Sequence, residues 1–93
     1  MAVVCNSNNI NNIVAEFDSN SSISEFYAYG GAIYNHGIIT NIEGVFKDNY
    51  ASANNYTANG GAIHNTGTIG DTVGGFTGNY VIARGLESYG GAI

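Results

Sequence analysis

Gly30-Gly31-Ala32-Ile33 recurs as Gly60-Gly61-Ala62-Ile63 and again as Gly90-Gly91-Ala92-Ile93, at a spacing of 30 and 30 residues. A second tetrapeptide, Phe-x-x-Asn, stands at Phe17-Asp18-Ser19-Asn20, Phe46-Lys47-Asp48-Asn49 and Phe76-Thr77-Gly78-Asn79, at a spacing of 29 and 30. The two motifs keep step along the whole chain, so one unit of about 30 residues is written out about three times. A fixed period of this length is the mark of a repeat architecture.

Superposing the copies turns the sequence into columns. Val4, Ile33 and Ile63 share one, and Ile93 begins its fourth place. Ile10, Ile39 and Ile69 form another, and Ile13, Ile42 and Thr72 a third. The aromatic column is Phe17, Phe46 and Phe76. Asn6, Asn35 and Asn65 align, as do Asn20, Asn49 and Asn79. Divergence concentrates before each Gly-Gly, in Ser21 to Tyr29, Ala51 to Asn59 and Val81 to Tyr89. In the first copy Met1-Ala2 stands where the glycine pair is expected.

Helical repeats need apolar residues at i, i+3, i+4 and i+7 over long stretches. Here the apolar positions are β-branched or aromatic and are interrupted every few residues by Gly or Asn, which reads as short strands joined by tight turns. The expected parse is a strand around Ala32 to Tyr34, one around Ile39 to Ile42 and one around Val45 to Asn49, followed by a variable loop. Strands stacked copy on copy make a parallel coil. Equivalent residues then lie about 4.8 Å apart. Phe17, Phe46 and Phe76, with Ile33, Ile63, Ile39 and Ile69, become apolar ladders inside. Asn20, Asn49 and Asn79 become an amide ladder. Like charges do not stack: Asp18 is followed in its column by Lys47 and Thr77. The fold expected is all-β: a right-handed parallel β-helix of about three coils. It forms one solenoid domain over residues 1–93, with repeats at about 1–29, 30–59 and 60–89 and the start of a fourth at 90–93.

Composition narrows the function. The 93 residues carry two basic side chains, Lys47 and Arg84, against seven acidic ones, for a net charge of −5. Nucleic acids and anionic membrane surfaces both require a cationic footprint, so neither is expected as a partner. No apolar run is long enough to insert in a membrane. Charged residues are only 10% of the chain, against roughly 25% in ordinary soluble domains. Solubility therefore rests on Asn, Ser, Thr, Gly and Tyr. Proline is absent, and the single cysteine, Cys5, excludes an internal disulfide. Cys5 shares a column with Tyr34 and His64 that reads as outward. The first residues, Met1 to Asn6, have neither the basic region nor the apolar core of a signal peptide, so the chain is expected to be a fragment of a longer exported protein or not exported.

The alternation of Gly-Gly-Ala-Ile with Phe-Asp-Ser-Asn, Phe-Lys-Asp-Asn and Phe-Thr-Gly-Asn resembles the repeat of the chlamydial polymorphic outer-membrane proteins and related autotransporter adhesins. The stretches Asn35-His36-Gly37-Ile38-Ile39 and Asn65-Thr66-Gly67-Thr68-Ile69 are also similar to autotransporter passenger repeats. The resemblance implies a β-helical passenger, displayed on the cell surface or secreted, serving as an adhesin or stalk. These motifs are structural and bring no catalytic residue.

The residues capable of chemistry are few. Glu16 and Asp18 lie two apart, and Glu43 and Asp48 follow in the next copy, but no carboxylate column recurs beside a basic partner as β-helix glycosidases and lyases require. They read as solvated charges. His36 and His64 fall in different columns, and no set of ligands converges for a metal. The glycine- and aspartate-rich calcium nonapeptide is missing. Gly30-Gly31 lacks the Lys-Ser/Thr and helix of a phosphate loop. No cofactor is expected, and the chain reads as non-catalytic. The alternatives are a carbohydrate-active β-helix and an ice-binding solenoid, which needs a regular Thr column that Thr40, Thr66, Thr68 and Thr72 do not form. The candidates for recognition are Tyr27, Tyr29, Tyr56 and Tyr89, in or beside the variable loops, since exposed Tyr offers contact area at low entropic cost. A host surface protein or a glycan is the expected partner. Self-association through uncapped coil ends is also expected, head-to-tail or face to face, with Ile69, Phe76 and Ile93 making the C-terminal end the stickier one.

Overall fold

The computed structural model describes residues 3–84 and 87–93, so Met1-Ala2, where the first glycine pair was expected, lies outside the described residues. The described chain is all-β. Twelve strands follow in order: β1 Val4–Asn6, β2 Asn9–Asp18, β3 Ser21–Ser24, β4 Tyr27–Tyr29, β5 Ile33–Asn35, β6 Ile38–Lys47, β7 Tyr50–Ala53, β8 Thr57–Asn59, β9 Ile63–Asn65, β10 Thr68–Thr77, β11 Tyr80–Ala83 and β12 Ser88–Tyr89. Among the described residues no helix is long and apolar enough to cross a membrane.

Every fourth strand is a neighbour. The strands group as β1-β5-β9, β2-β6-β10, β3-β7-β11 and β4-β8-β12, four parallel three-stranded sheets, each taking one strand from each copy. The registers match the columns: Val4↔Ile33↔Ile63, Ile10↔Ile39↔Ile69, and Phe17↔Phe46↔Phe76. Four strands per copy replace the expected three. The two middle strands expected around Ile39 to Ile42 and Val45 to Asn49 are one strand of 10 residues. Its inward residues Ile39, Ile42 and Phe46 are three and four apart, so it bends rather than alternating strictly. Gly74, at φ 138, sits on that bend in the third copy, in register with Gly44.

The variable stretch is not a loop. It carries two further strands, β3 and β4 in the first copy and β7 and β8 in the second. Their inward positions are small: Ser22, Ala28, Ala51, Ala53 and Ala58 are all buried. They form a second core beside the main one of Phe17, Ala32, Ile33, Ile39, Ile42, Phe46, Ala62 and Ile63. Small side chains let the walls approach closely, and they vary freely among Ser, Ala and Val, which hides the strand pattern from a column reading.

The corners explain both motifs. Ser19, Asp48 and Gly78 all take the left-handed conformation, at φ 59, 54 and 67. They are the third residue of each Phe-x-x-Asn, and the Asn of one copy caps the corner of the copy before it: Asn49 donates from Nδ2 to the Phe17 carbonyl at 2.9 Å, and Asn79 to the Phe46 carbonyl at 2.9 Å. In the glycine pair, the first residue is left-handed (φ 64 at Gly30 and Gly60). The second is pressed against the next copy, where a Cβ on Gly31 would strike the Gly61 carbonyl.

Two amide ladders run the length of the stack. Asn6 Nδ2 donates to Asn35 Oδ1 at 2.9 Å, and Asn35 Nδ2 to Asn65 Oδ1 at 2.8 Å. The second ladder runs from Asn20 Nδ2 to Asn49 Oδ1 at 3.0 Å and from Asn49 Nδ2 to Asn79 Oδ1 at 2.9 Å. Asn35 and Asn49 are fully buried. Burying an amide is tolerable because its donors and acceptors are paired, and no buried side-chain polar atom among the described residues lacks a partner.

Registers differ at one place. The second copy is 29 positions on from the first at β1–β5, β2–β6 and β3–β7, but 30 on at β4–β8, where Tyr27 pairs with Thr57. The extra residue lies in the turn between β7 and β8, where Asn54, Asn55 and Tyr56 answer Glu25 and Phe26. That turn also begins the aromatic surface described next.

Candidate functional site: an exposed aromatic face

The turns after β3 and β7 and strands β4, β5 and β9 bring rings together across all three copies. Phe26 stacks on Tyr56 with centroids 5.4 Å apart, and Tyr56 on Tyr27 at 5.5 Å. Tyr27 stacks on Tyr29 at 6.1 Å, two residues along the same strand. Tyr29 then meets Tyr34 at 5.7 Å and His64 at 4.7 Å, and Tyr34 meets His64 edge-on at 5.2 Å. Six rings thus form one continuous surface around the glycine-pair corner. Phe26 and Tyr27 are about half exposed, at 52% and 53%. Such pairs are worth about 0.5–1.5 kcal/mol beyond area burial, so the rings hold one another in place.

Of the tyrosines singled out in the sequence, Tyr27, Tyr29 and Tyr56 come together. Tyr89 is exposed at the far end of the same wall, in the column Tyr29–Asn59–Tyr89. Phe26, Tyr34 and His64 are members that the sequence reading passed over. Phe26 and Tyr56 become neighbours only once the extra residue is placed after Ala53. Tyr34 and His64 share the outward column with Cys5, which is exposed.

Burial sets the electrostatics. It pushes the Tyr29 hydroxyl above its ordinary value, with smaller contributions from Tyr27 and Tyr34, so the phenol stays neutral. It holds the His64 imidazole below its ordinary value. The rim is polar: Glu25 accepts from Asn54 Nδ2 and Asn55 Nδ2, both at 3.3 Å, and Arg84 donates to Asn54 Oδ1 at 3.2 Å. A pocket lined by Cys5, Asn6, Ser7, Tyr34 and His36 borders the face.

The acidic residues do not converge. Glu16 pairs in register with Val45, Asp18 with Lys47, and Glu43 lies between Val14 and Val73. His36 pairs through Nδ1 with Thr66 Oγ1 at 2.8 Å, away from His64. Among the described residues no three His, Cys, Asp or Glu side chains gather to hold a metal ion. The ladder residues Phe17, Phe46 and Phe76 stack at 4.7 and 4.8 Å, with Phe76 only half-buried at the end of its column.

No curated protein and no solved structure matches the chain. Residues 43–66 match the family model of the Chlamydia polymorphic membrane protein repeat. The matched stretch contains Phe46 to Asn49 and Gly60 to Ile63, the residues of one left-handed corner and one glycine-pair corner. Repeats of this kind indicate an outer-membrane, cell-surface protein with an autotransporter-type passenger. Over residues 43–66 the chain is thus similar to a repeat of the chlamydial polymorphic membrane protein type.

Proposed function

We propose that the chain is a right-handed parallel β-helix of about three coils and a non-catalytic segment of a surface-displayed passenger. It adheres to a host surface protein or glycan through the aromatic face. The observation that carries this reading is the contiguity of Phe26, Tyr27, Tyr29, Tyr34, Tyr56 and His64 across three copies. A rigid repeat supplies the scaffold, and rings whose neighbours already hold them lose little entropy on binding. Tyr89 extends the contact at its far end. The same reading includes self-association: the C-terminal edge leaves Ile93 59% exposed, with strands β9 to β12 unpaired on one side.

The test is a binding array of glycans and host-surface proteins probed with the chain and with Tyr27→Ser/Tyr56→Ser. Binding is expected to fall at least tenfold in that variant. It should stay within twofold in Tyr80→Ser, whose ring stacks on Tyr50 away from this face, and in Glu16→Gln/Asp18→Asn. Retained binding in the first variant, or polysaccharide turnover abolished in the last, would overturn the reading.

A further inference from the structure

Two columns of the repeat admit a side chain only where nothing lies beneath it. A Cβ on Gly37 would strike the carbonyl of Asn8, and one on Gly67 the carbonyl of Gly37. In the next strand, a Cβ on Gly44 would strike the carbonyl of Ala15, and one on Gly74 the carbonyl of Gly44. In all four cases the obstacle is the backbone of the preceding copy, closer than 3.0 Å, which no rotamer change relieves. Stacking therefore demands glycine in both columns. The first copy fills them with Asn8 and Ala15.

Every ladder would otherwise welcome another copy there. Ile10 continues the column of Ile39 and Ile69, Phe17 that of Phe46 and Phe76, and Asn6 that of Asn35 and Asn65. At the far edge, Asn65 Nδ2 points on along the ladder, donating only within its own copy to the Gly67 carbonyl at 3.4 Å. A second copy of this chain, its C-terminal edge laid against the N-terminal edge of the first, would match apolar on apolar and amide on amide. Asn8 and Ala15 would be driven into the Gly67 and Gly74 carbonyls.

We propose that Asn8 and Ala15 close the N-terminal edge to in-register stacking by a second copy of this chain. This refines the self-association proposed above. Head-to-tail growth is barred, and association through the exposed apolar C-terminal edge ends at two chains.

An intramolecular experiment separates this from the question of whether the chain dimerises. Residues 1–91 are joined directly to residues 3–93, so that Gly90-Gly91 provides the corner and the columns continue without overlap. A second tandem carries Asn8→Gly and Ala15→Gly in its second unit. In the parental tandem the two units unfold independently, with the denaturant slope of a single chain. In the glycine tandem they unfold as one body, with a slope about twofold larger, because the slope scales with the surface exposed in one cooperative step. Equal slopes in the two tandems, both steep or both shallow, overturn the proposal. The single chain carrying the same two substitutions is expected to melt somewhat lower, because each added glycine widens the unfolded ensemble, but to keep the parental denaturant slope, since both side chains are exposed. A change of slope in the single chain as large as that between the tandems would also overturn it.

Discussion

Asn49 donates to Asn79 Oδ1 twice, from its side-chain Nδ2 at 2.9 Å and from its backbone N–H at 3.0 Å. Its other side-chain hydrogen goes back to the Phe17 carbonyl, and its own Oδ1 accepts from the backbone N–H and from Nδ2 of Asn20. One buried amide thus ties three copies together at a single corner. Asn49→Ala leaves donors and acceptors on both sides without partners, and is expected to cost about 2–4 kcal/mol in denaturant melts. Asn41→Ala removes only an exposed contact to Asn12 at 3.3 Å and should stay within about 0.5 kcal/mol of the parent. Equal losses would contradict the ladder argument.

The phenylalanine column makes a second contrast. Phe46 is fully buried between Phe17 and Phe76, with ring planes within 10° and 5° of parallel. Phe46→Ala should cost about 3–5 kcal/mol, the range for a large core truncation. That is much of a small domain's stability. Phe26→Ala, on the exposed face, should cost less than about 1 kcal/mol. An unchanged melting temperature for Phe46→Ala would show that the column does not hold the core.

Adjacent glycines should respond with opposite sign. Gly74 is at φ 138 with the Gly44 carbonyl where a Cβ would go, whereas nothing lies within 4 Å of a Cβ at Gly75. Gly74→Ala is expected to lose about 2–3 kcal/mol from overpacking and a strained backbone. Gly75→Ala is expected to gain about 0.5–1 kcal/mol by restricting the unfolded chain. Thermal melts of the two variants decide the matter, and a shared sign would refute it.

Burial of His64 makes stability depend on pH. With the folded value held below the ordinary 6.5, the unfolded chain takes the proton first as pH falls. The stability contributed by the neutral ring is full above about pH 6.5 and is lost as pH falls through the folded value. Between pH 7.5 and 5 the parent is therefore expected to lose more melting temperature than His64→Gln. Parallel pH profiles would mean that His64 titrates alike in both states.

How much of this is legible in the sequence depends on how strictly a column specifies its occupant. Phe on Phe and Asn on Asn are legible because stacking at strand spacing puts like beside like, and neither residue is easily replaced by a different shape. Strands β3, β4, β7 and β8 escape a column reading. Their inward residues, such as Ser22 and Ala51, share only smallness. The join of two expected strands into β6 is hidden by Glu43-Gly44, which reads as a break and is instead the bend of one strand. Tyr27, Tyr29 and Tyr56 stand out by residue type alone. Phe26, Tyr34 and His64 do not, since their proximity depends on a corner that folds β4 back against β5. The glycine requirement at Gly37 and Gly44 cannot be read without coordinates, because only they show which backbone atom occupies the missing Cβ's place.

The single extra residue between β7 and β8 has a consequence for what this scaffold can carry. Upstream of it, β5, β6 and β7 keep a common offset from the first copy. Downstream, β8 takes up a new one, and the third copy inherits it. A change of length at this corner is thus absorbed once and passed on as a renumbering, with every ladder partner preserved. The corner behaves as an open slot: a foreign peptide inserted between Asn54 and Tyr56 would be displayed beside the aromatic face, while the rest of the stack reads on as though nothing had been added.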